Sequence, residues 1–388
     1  MRSTRTTFGT AVLAVAALAL TACGGDDGEA QAAGPTGEVG STDLAEAGCP
    51  DTVVIQTDWN PEAEHGGVYE LVGDDYSVDA DSKSVSGTLV DSAGDSTGVR
   101  VEIRAGGPAI GFQAVSAQMY SDDSITLGYV DTDEAIQLSD SQPTVGVLAQ
   151  LEISPQMIMW DPATYPDVTG IADLAGTDAT VRYFEGSAYM DYLTGAGILR
   201  EDQLDGSYDG SPAAFVASGG QDAQQGFASA EPYIYENEVD AWGNPVEYEL
   251  VHDVGFEVYA GSLSVRQDSL EELSGCLTEL VPVMQQANLD FLDAPEETNE
   301  LIVELVEEYD TGWVYGPEVA QYSVETQREL GLVGNGPDDV HGNFDTERLD
   351  NLIGLATPIF TEQGTPPADG LTAEDISTNG FIDDSIGL

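Results

Sequence analysis

A short loop near the start of the chain carries the side chains with the clearest chemical character. Residues 59–67 combine a tryptophan, two glutamates, a histidine and a pair of glycines. The indole face can stack on an aromatic ligand, the carboxylates can accept hydrogen bonds from amino or ring N–H groups, and glycine permits a close backbone approach. Core packing of the tryptophan is the structural alternative. We expect ligand contacts from Trp59, Glu62, Glu64, His65 and Gly66.

Three further loops lie where a predicted strand gives way to a helix, at residues 106–108, 130–134 and 184–187. Ligands of open α/β sheets bind beyond the carboxyl ends of the strands, against helix N-termini. Taken singly, each loop has the alternative of an ordinary turn or helix cap. The expected ligand-binding residues of these loops are Gly106, Gly107, Thr132, Asp133, Gly186 and Ser187.

The elements that must position these loops alternate along the chain, a pattern typical of an α/β protein with largely parallel sheets. Strands are expected over residues 51–57, 99–103, 124–130, 145–152, 156–160, 180–184 and 248–251. Helices are expected over residues 111–120, 269–292, 295–309, 317–330 and 345–360. No internal repeat is visible in the sequence, and its length is sufficient for two domains of about 150 residues each.

The first 23 residues have the composition of a bacterial export signal. Residues 1–9 carry two arginines and no acid, residues 10–20 are almost entirely apolar, and Leu20-Thr21-Ala22 precedes Cys23. This apolar run is too short for a transmembrane helix, which needs about 20 residues. We expect a signal peptide over residues 1–22 and lipid attached to Cys23. An ordinary signal peptide with an incidental cysteine is the alternative.

The segment after that cysteine predicts a tether. Residues 23–48 are rich in Gly, Ala, Asp, Glu and Thr and contain no aromatic residue, which is typical of a flexible acidic linker. More than one lipid chain on Cys23 would hold the folded part stably at a membrane. The expected location is therefore extracytoplasmic, at the outer face of the cell membrane.

Charge limits the partners of the protein. The chain of 388 residues has 71 acidic and 10 basic residues, for a formal net charge of −61. Such a field repels nucleic acid and anionic lipid head groups, so neither is expected as a ligand. Self-repulsion of this size is screened in concentrated salt, which favours a halophilic protein over the alternative of a salt-indifferent acidic one.

The cysteines and histidines give no sign of catalysis. With Cys23 assigned to lipid, Cys49 and Cys276 remain and are expected to form a disulfide outside the cell, two buried free thiols being the alternative. The three histidines, His65, His252 and His341, occur in no metalloprotease pattern, and nucleophile-elbow, C-x-x-C and P-loop patterns are absent from the sequence. We expect no metal, no cofactor and no enzyme activity.

Several segments, in order along the chain, resemble a known family. They are a strand followed by Asp58-Trp59-x-Pro61-x-x-x-His65-Gly66 and Tyr69, then Ile125–Glu134, Asp173-Leu174-Ala175-Gly176, and Gly219–Pro232 with Asp222 and Glu231-Pro232. This order resembles the thiamine-pyrimidine-precursor binding group, which is related to the nitrate, sulfonate and taurine solute-binding proteins of ABC importers. The resemblance covers residues 49 to about 360.

The resemblance implies a two-lobed type II periplasmic-binding fold with a hinge and an interlobe cleft. Lobe 1 would comprise residues 49–143 and 253–388, and lobe 2 residues 144–252. The Cys49–Cys276 disulfide would then lie within lobe 1 and leave the hinge free. Glu231 joins the expected ligand-binding residues on this basis.

The resemblance also implies that a monomer captures a small-molecule ligand by lobe closure and delivers it to an ABC permease. The Trp59 loop favours an amino-substituted aromatic heterocycle, similar to a thiamine pyrimidine precursor. A nitrate, sulfonate or taurine-type anion is the alternative, because Arg104 and Arg182 lie near two of the loops. Two other classes stay open: a pyrimidine-processing enzyme, whose relatives use a cysteine cluster that this chain lacks, and a surface adhesin.

Overall fold

The computed structural model describes residues 34–388, which contain twelve strands. The strands are β1 (Thr52–Gln56), β2 (Ser77–Asp79), β3 (Ser84–Val90), β4 (Ser96–Arg104), β5 (Leu127–Val130), β6 (Thr144–Leu148), β7 (Gln156–Trp160), β8 (Val181–Arg182), β9 (Leu204–Asp205), β10 (Ala223–Phe227), β11 (Glu247–Leu250) and β12 (Ser262–Arg266).

The same residues contain twelve α-helices, together with five short 3₁₀ turns. The helices are α1 (Gly66–Tyr69), α2 (Val115–Ser121), α3 (Thr132–Gln137), α4 (Ile171–Leu174), α5 (Ala188–Gly195), α6 (Ala213–Ser218), α7 (Glu231–Asn237), α8 (Leu270–Asp293), α9 (Glu296–Tyr309), α10 (Pro317–Glu329), α11 (Thr346–Gln363) and α12 (Ala373–Ile376). Within residues 34–388, no helix combines the length and apolar character needed to cross a bilayer.

The strands form two separate sheets. The larger has the order β2-β3-β4-β1-β5-β12-β6, and the smaller has the order β11-β7-β10-β8-β9. The centre of each sheet is parallel, with β1 between β4 and β5, and β8 between β10 and β9. The remaining pairings are antiparallel. The prediction of an α/β protein is confirmed, but the expectation of largely parallel sheets is wrong.

The long helix α8 supports the larger sheet because its apolar residues recur at helical spacing. Cys276, Leu277, Leu280, Val281 and Met284 are all fully or almost fully buried, and they form one face that packs into the main core. The same face continues to Phe291, whose ring lies against the start of α1. The helix thereby fixes the position of the loop that precedes α1.

The chain crosses between the sheets twice, through residues 149–155 and residues 251–261, here called the first and second crossing. Both crossings run beside α11. Because these are the described connections from one sheet to the other, any relative motion of the sheets must be accommodated there.

Arg348 on α11 joins the two crossings. Its Nη1 donates to the backbone oxygen of Glu152 at 2.8 Å and to its Oε1 at 3.0 Å. Its Nε and Nη2 donate to the backbone oxygens of Glu257 and Val258 at 2.9 and 3.0 Å. The guanidinium carbon also lies 3.7 Å from the ring centroid of Tyr259. One buried side chain therefore holds both connecting segments.

Part of the predicted linker is folded. Val39 forms a β-bridge with Ser96, and Leu44 is fully buried with its N–H donating to the backbone oxygen of Thr97 at 2.8 Å. The expectation of a flexible linker to residue 48 is thus wrong for this stretch, because an apolar side chain and backbone hydrogen bonds attach it to β4. The rest of the predicted linker up to residue 33, and the signal peptide and lipid site, lie outside the described residues.

A disulfide joins Cys49 to Cys276, with the Cα atoms 4.6 Å apart. It connects the segment that precedes β1 to the buried face of α8. Both ends belong to the structure around the larger sheet, so this bridge spans neither crossing.

Two local expectations differ from the structure. Thr144–Leu148 pairs with β12 in the larger sheet. The predicted boundary at residue 144 places this strand in lobe 2, whereas the rest of the larger sheet belongs to the predicted lobe 1. The helix expected over residues 111–120 is confined to Val115–Ser121, because Gly111 adopts a left-handed conformation with φ of 65° and ends a preceding 3₁₀ turn.

Candidate functional site

A cavity of about 310 Å³ lies between the two sheets and is lined by residues associated with both. Its walls are aromatic and acidic. The aromatic residues are Trp59, Tyr129, Phe184, Tyr189, Tyr208, Phe227, Phe256 and Trp313. The acidic residues are Asp58, Glu62, Glu64, Asp131, Asp133 and Glu231. No lysine or arginine is among the lining residues of the described chain.

Trp59 lies on the loop that follows β1, and its neighbours fix its ring. The ring centroid is 6.0 Å from that of Trp313 in an edge-to-face arrangement and 5.8 Å from that of Phe112. A Cβ placed on Gly107 would lie only 2.7 Å from the indole, so a larger residue there would displace the ring. The indole is therefore held in place before any ligand arrives.

Aromatic residues that follow the smaller sheet's strands complete the wall. Phe184 follows β8, and its ring lies 4.9 Å from the ring of Tyr208. A Cβ on Gly210 would be 3.7 Å from Phe184 and 3.9 Å from Trp59, so both rings approach this glycine. The geometry places an indole from one side of the cleft close to a phenyl ring from the other.

Most of the cavity carboxylates already accept a hydrogen bond. Asp58 contacts Nε2 of His65 at 2.8 Å. Asp131 accepts from the backbone N–H of Gly261 at 2.7 Å, and Glu231 accepts from that of Phe227 at 2.7 Å. Asp133 accepts from the backbone N–H that follows it at 3.1 Å. These contacts fix the carboxylates without neutralising them.

Glu64 makes the contact that spans the cleft. It belongs to the 3₁₀ turn before α1, and its Oε1 accepts a hydrogen bond from Oγ of Ser229, between β10 and α7. A second contact of this kind is made by Tyr322 on α10, whose hydroxyl donates to the backbone oxygen of Ala228 at 3.2 Å. The two sides of the cleft therefore touch in this structure.

Glu62 differs from its neighbours. Its side chain is only 9% exposed, yet within residues 34–388 no hydrogen-bond donor contacts its carboxyl group. Burial raises the pKa of Glu62 well above its usual value, and the nearby charges of Glu64, Asp58 and Glu231 raise it further. This is a buried acid that lines a cavity and lacks a partner.

The other acids of the cluster respond in the same direction. Burial raises the pKa of Glu64 and of Asp131 well above their usual values, that of Asp133 to about 6 and that of Glu231 to about 7. Nδ1 of His65, a residue that is 3% exposed, also has no partner among the described residues. The cavity thus brings together several acids whose protonated form is favoured by burial.

Seven of the residues predicted for the site line this cavity. They are Trp59, Glu62, Glu64, His65, Asp133, Ser187 and Glu231. The structure brings together parts of three of the four predicted loops and the start of α7.

Five predicted residues do not line the cavity, and each has a structural role in this fold. Gly66 faces the ring of Phe291, which leaves no room for a Cβ. Gly106 and Gly107 back onto the Trp59 loop, and the N–H of Gly106 donates to the backbone oxygen of Trp59 at 2.8 Å.

The other two residues lie at the start of α3 and in a turn. Thr132 exchanges hydrogen bonds with the backbone of Tyr259, donating its N–H at 3.1 Å and accepting with Oγ1 at 3.0 Å. Gly186 has a φ of 93°, which the turn before α5 requires and which favours glycine. Thr132 therefore attaches the start of α3 to the second crossing, and Gly186 shapes a turn.

Several lining residues were missed by sequence reasoning. Gln225 accepts hydrogen bonds from the N–H of Phe184 at 2.6 Å and the hydroxyl of Tyr189 at 2.8 Å, so it fixes one wall of the cavity. Trp313 enters from the loop between α9 and α10. Trp313 could have been predicted from its position as a tryptophan in a Gly-rich loop, whereas nothing in the sequence indicates Gln225.

The two arginines near the predicted loops lie outside the cavity lining. Arg104 pairs with Glu102 at 2.6 Å and with Asp122 at 2.9 Å. Arg182 pairs with Asp222 at 2.6 Å and Asp205 at 2.9 Å. Their charges are therefore compensated by acids of the protein itself.

The fold is shared with solved binding proteins. Similar structures include the alkanesulfonate-binding protein SsuA from Xanthomonas axonopodis pv. citri bound to MOPS, with a TM-score of 0.51, 12% identity, and coverage of 85% of this chain and 99% of that one. The periplasmic aliphatic sulphonate binding protein SsuA from Escherichia coli gives a TM-score of 0.51 at 14% identity, over 82% and 90% of the two chains. The ligand-binding component of an ABC-type import system from Staphylococcus aureus with zinc bound gives 0.51 at 11% identity, over 85% and 97%.

These similarities define the class of fold. The chain has the two-lobed α/β architecture of type II periplasmic-binding proteins. No family model matches the sequence. No curated protein matches it either.

Proposed function

We propose that this protein is an extracytoplasmic solute-binding protein of an ABC importer, and that it captures a small amino-substituted aromatic heterocycle similar to a thiamine pyrimidine precursor. The observation that carries this proposal is the cavity between the sheets, whose walls combine aromatic rings and carboxylates. The fold supports it at the level of class.

The chemistry of the walls favours a heterocycle with amino groups. The indole of Trp59 and the ring of Phe184 offer flat apolar faces for stacking, and the unpartnered Glu62 offers acceptors for an exocyclic amine. A single six-membered heterocycle with small substituents suits a cavity of about 310 Å³. Binding in this way needs no catalytic step, and the ligand leaves unchanged.

Lobe closure provides the mechanism. We take the two sheets with their helices as the lobes and the two crossings as the hinge. A ligand that contacts Trp59 on one side and Phe184 on the other favours the closed form, in which Glu64 also contacts Ser229. The closed form would then dock, as a monomer, on a membrane permease.

The second candidate ligand is a sulfonate-type anion. It is supported by the fold shared with an alkanesulfonate-binding protein. The absence of lysine and arginine from the described cavity lining counts against it, because anion sites in proteins recruit such groups.

Tryptophan fluorescence titrations with 4-amino-2-methylpyrimidine, riboflavin and taurine test this proposal. We expect a heterocycle to bind and Trp59→Ala to weaken that binding by about tenfold, since stacking on one aromatic ring is worth about 1–3 kcal/mol. Trp242→Phe is the matched control, because Trp242 packs on Phe215 outside the cavity. A response to taurine alone would replace the heterocycle with an anion.

We further propose that lipid on Cys23 holds the protein at the outer face of the membrane. The support is the sequence of residues 1–23. Detergent phase partitioning tests it: the full chain should enter the detergent phase, and Cys23→Ala should remain in the aqueous phase. Equal partitioning of both would remove the anchor from the proposal.

A further inference from the structure

We infer that the ligand of this cavity carries a positive charge, and that Glu62 is the residue that binds the charged group. This inference rests on the proposed function, because it assigns the ligand class of the same site. A neutral aminopyrimidine and a cationic one have the same shape, so the distinction depends on the electrostatics of the walls.

The ionisable side chains of the walls are mainly acids. Six carboxyl groups line the cavity, and the lining of residues 34–388 contains no lysine or arginine to balance them. His65 is the remaining basic group, and Asp58 already contacts it at 2.8 Å. A neutral ligand would leave these acids without a countercharge, whereas a cation would supply one and would favour their ionised form.

Glu62 identifies the position of the missing partner. Its side chain is more than nine-tenths buried and lines the cavity, and its carboxyl group accepts no hydrogen bond within the described residues. The neighbouring Glu64 has Ser229 as a donor, and Glu231 has a backbone N–H. Because Glu62 lines the cavity and its carboxyl group has no donor among the described residues, it is placed to bind a donor group of the ligand.

The aromatic walls suit the same charge. Ring faces attract cations, most strongly tryptophan, and charged heterocycles keep the flat surface that stacking needs. Trp59 lies three residues before Glu62 on the same loop, and the ring of Trp313 packs edge-on against the ring of Trp59. One small site thereby combines a π-face and an unpartnered carboxyl group.

Isothermal titration with two probes of the same ring tests the inference. The first is 4-amino-2-methylpyrimidine at pH 8.5, where it is uncharged, and the second is its N1-methylated, permanently cationic form. We expect the cation to bind at least tenfold more tightly. Glu62→Gln should weaken cation binding by about 30-fold, the low end of the cost of removing one partner from a buried charge pair, and neutral binding much less.

Glu134→Gln is the matched control. Glu134 is half-buried beside the cavity without lining it, and its carboxyl accepts from the N–H and hydroxyl of Ser116 at 2.9 and 2.7 Å. Its glutamine oxygen can keep both bonds, so cation affinity should change less than threefold, on the order of a surface charge effect.

Proton release provides a second readout. The groups that face Glu62 are Asp58, Glu64, Glu231 and the phenols of Tyr69 and Tyr315, none of them cationic. Burial favours the protonated form of such a carboxyl group, and a bound cation favours its ionised form. At pH 6.5, cation binding should release protons, which titrations in phosphate and in Bis-Tris detect as different apparent enthalpies.

The outcomes separate this inference from the proposed function. Equal binding of both probes, or a Glu62→Gln variant that keeps the cation preference, overturns the positive charge and leaves a heterocycle-binding protein. Failure of both probes and riboflavin to bind overturns both proposals. Binding of taurine in preference to the cation overturns both in favour of the anion.

Discussion

Replacement of Arg348 should destabilise the whole protein, because this side chain is the main link between the two crossings. In Arg348→Ala, three backbone oxygens, those of Glu152, Glu257 and Val258, lose a charged donor at 2.8 to 3.0 Å. Each hydrogen bond to a charged group is worth about 1.5–3 kcal/mol, and contact with the Tyr259 ring adds about 1 kcal/mol. Water can replace part of this, so we expect the free energy of unfolding to fall by about 4 kcal/mol.

Urea unfolding followed by far-UV circular dichroism, at about 2 M NaCl to screen surface repulsion, measures this loss. Arg348→Lys keeps the charge without the planar fork and should lose about 2–3 kcal/mol. The exposed Arg328, changed to Ala, is the control and should lose less than about 0.5 kcal/mol. A loss below about 1 kcal/mol for Arg348→Ala would refute the role of the guanidinium.

Three further predictions concern the whole fold. Replacing Cys49 and Cys276 with serine should lower the free energy of unfolding by about 2–5 kcal/mol, because the bridge closes a sequence separation of 227 residues; urea unfolding that is unchanged would contradict this. Burial raises the pKa of Glu134 and of Glu231 to about 7, so the empty folded protein binds more protons than the unfolded chain. Its Tm at constant high salt should fall as pH rises from about 4.5 to 7, less steeply in the Glu134→Gln, Glu231→Gln double variant, and a Tm that rises over this range would be inconsistent with the burial of these acids. Because the net charge is −61, the Tm of the protein should fall after dialysis into low salt, and a constant Tm would contradict the halophilic prediction.

The sequence predicted the fold class and most elements because their signals are local. The β-branched run of β1 and the apolar spacing of α8 each specify one element by themselves. Strands β2 and β3 were missed because Ser77–Asp79 and Ser84–Val90 are rich in serine and lack a clear apolar alternation.

More of the candidate site was predictable on the side of the Trp59 loop than on the opposite side, where Ser187 and Glu231 were predicted. The Trp59 loop concentrates its chemistry within a few adjacent residues, so its composition was sufficient. The opposite wall is assembled from Phe184, Tyr208 and Gln225, which are distant in sequence and meet only through the pairing of the smaller sheet. The predicted glycines near the loop lie outside the cavity lining, because glycine is required where one backbone packs closely against another as well as where a backbone approaches a ligand.

Residues 39–48 are attached to β4, and the disulfide attaches the following segment to α8. These two attachments have a mechanical consequence. A pull on the N-terminal side of the fold would reach β4 through the bridge between Val39 and Ser96, and α8 through Cys49 and Cys276. Both routes lead into the larger sheet, and neither passes through a crossing. Under the proposed anchoring, drag on the tether would load the part of the protein that does not bend, and opening of the cleft would proceed without working against that force.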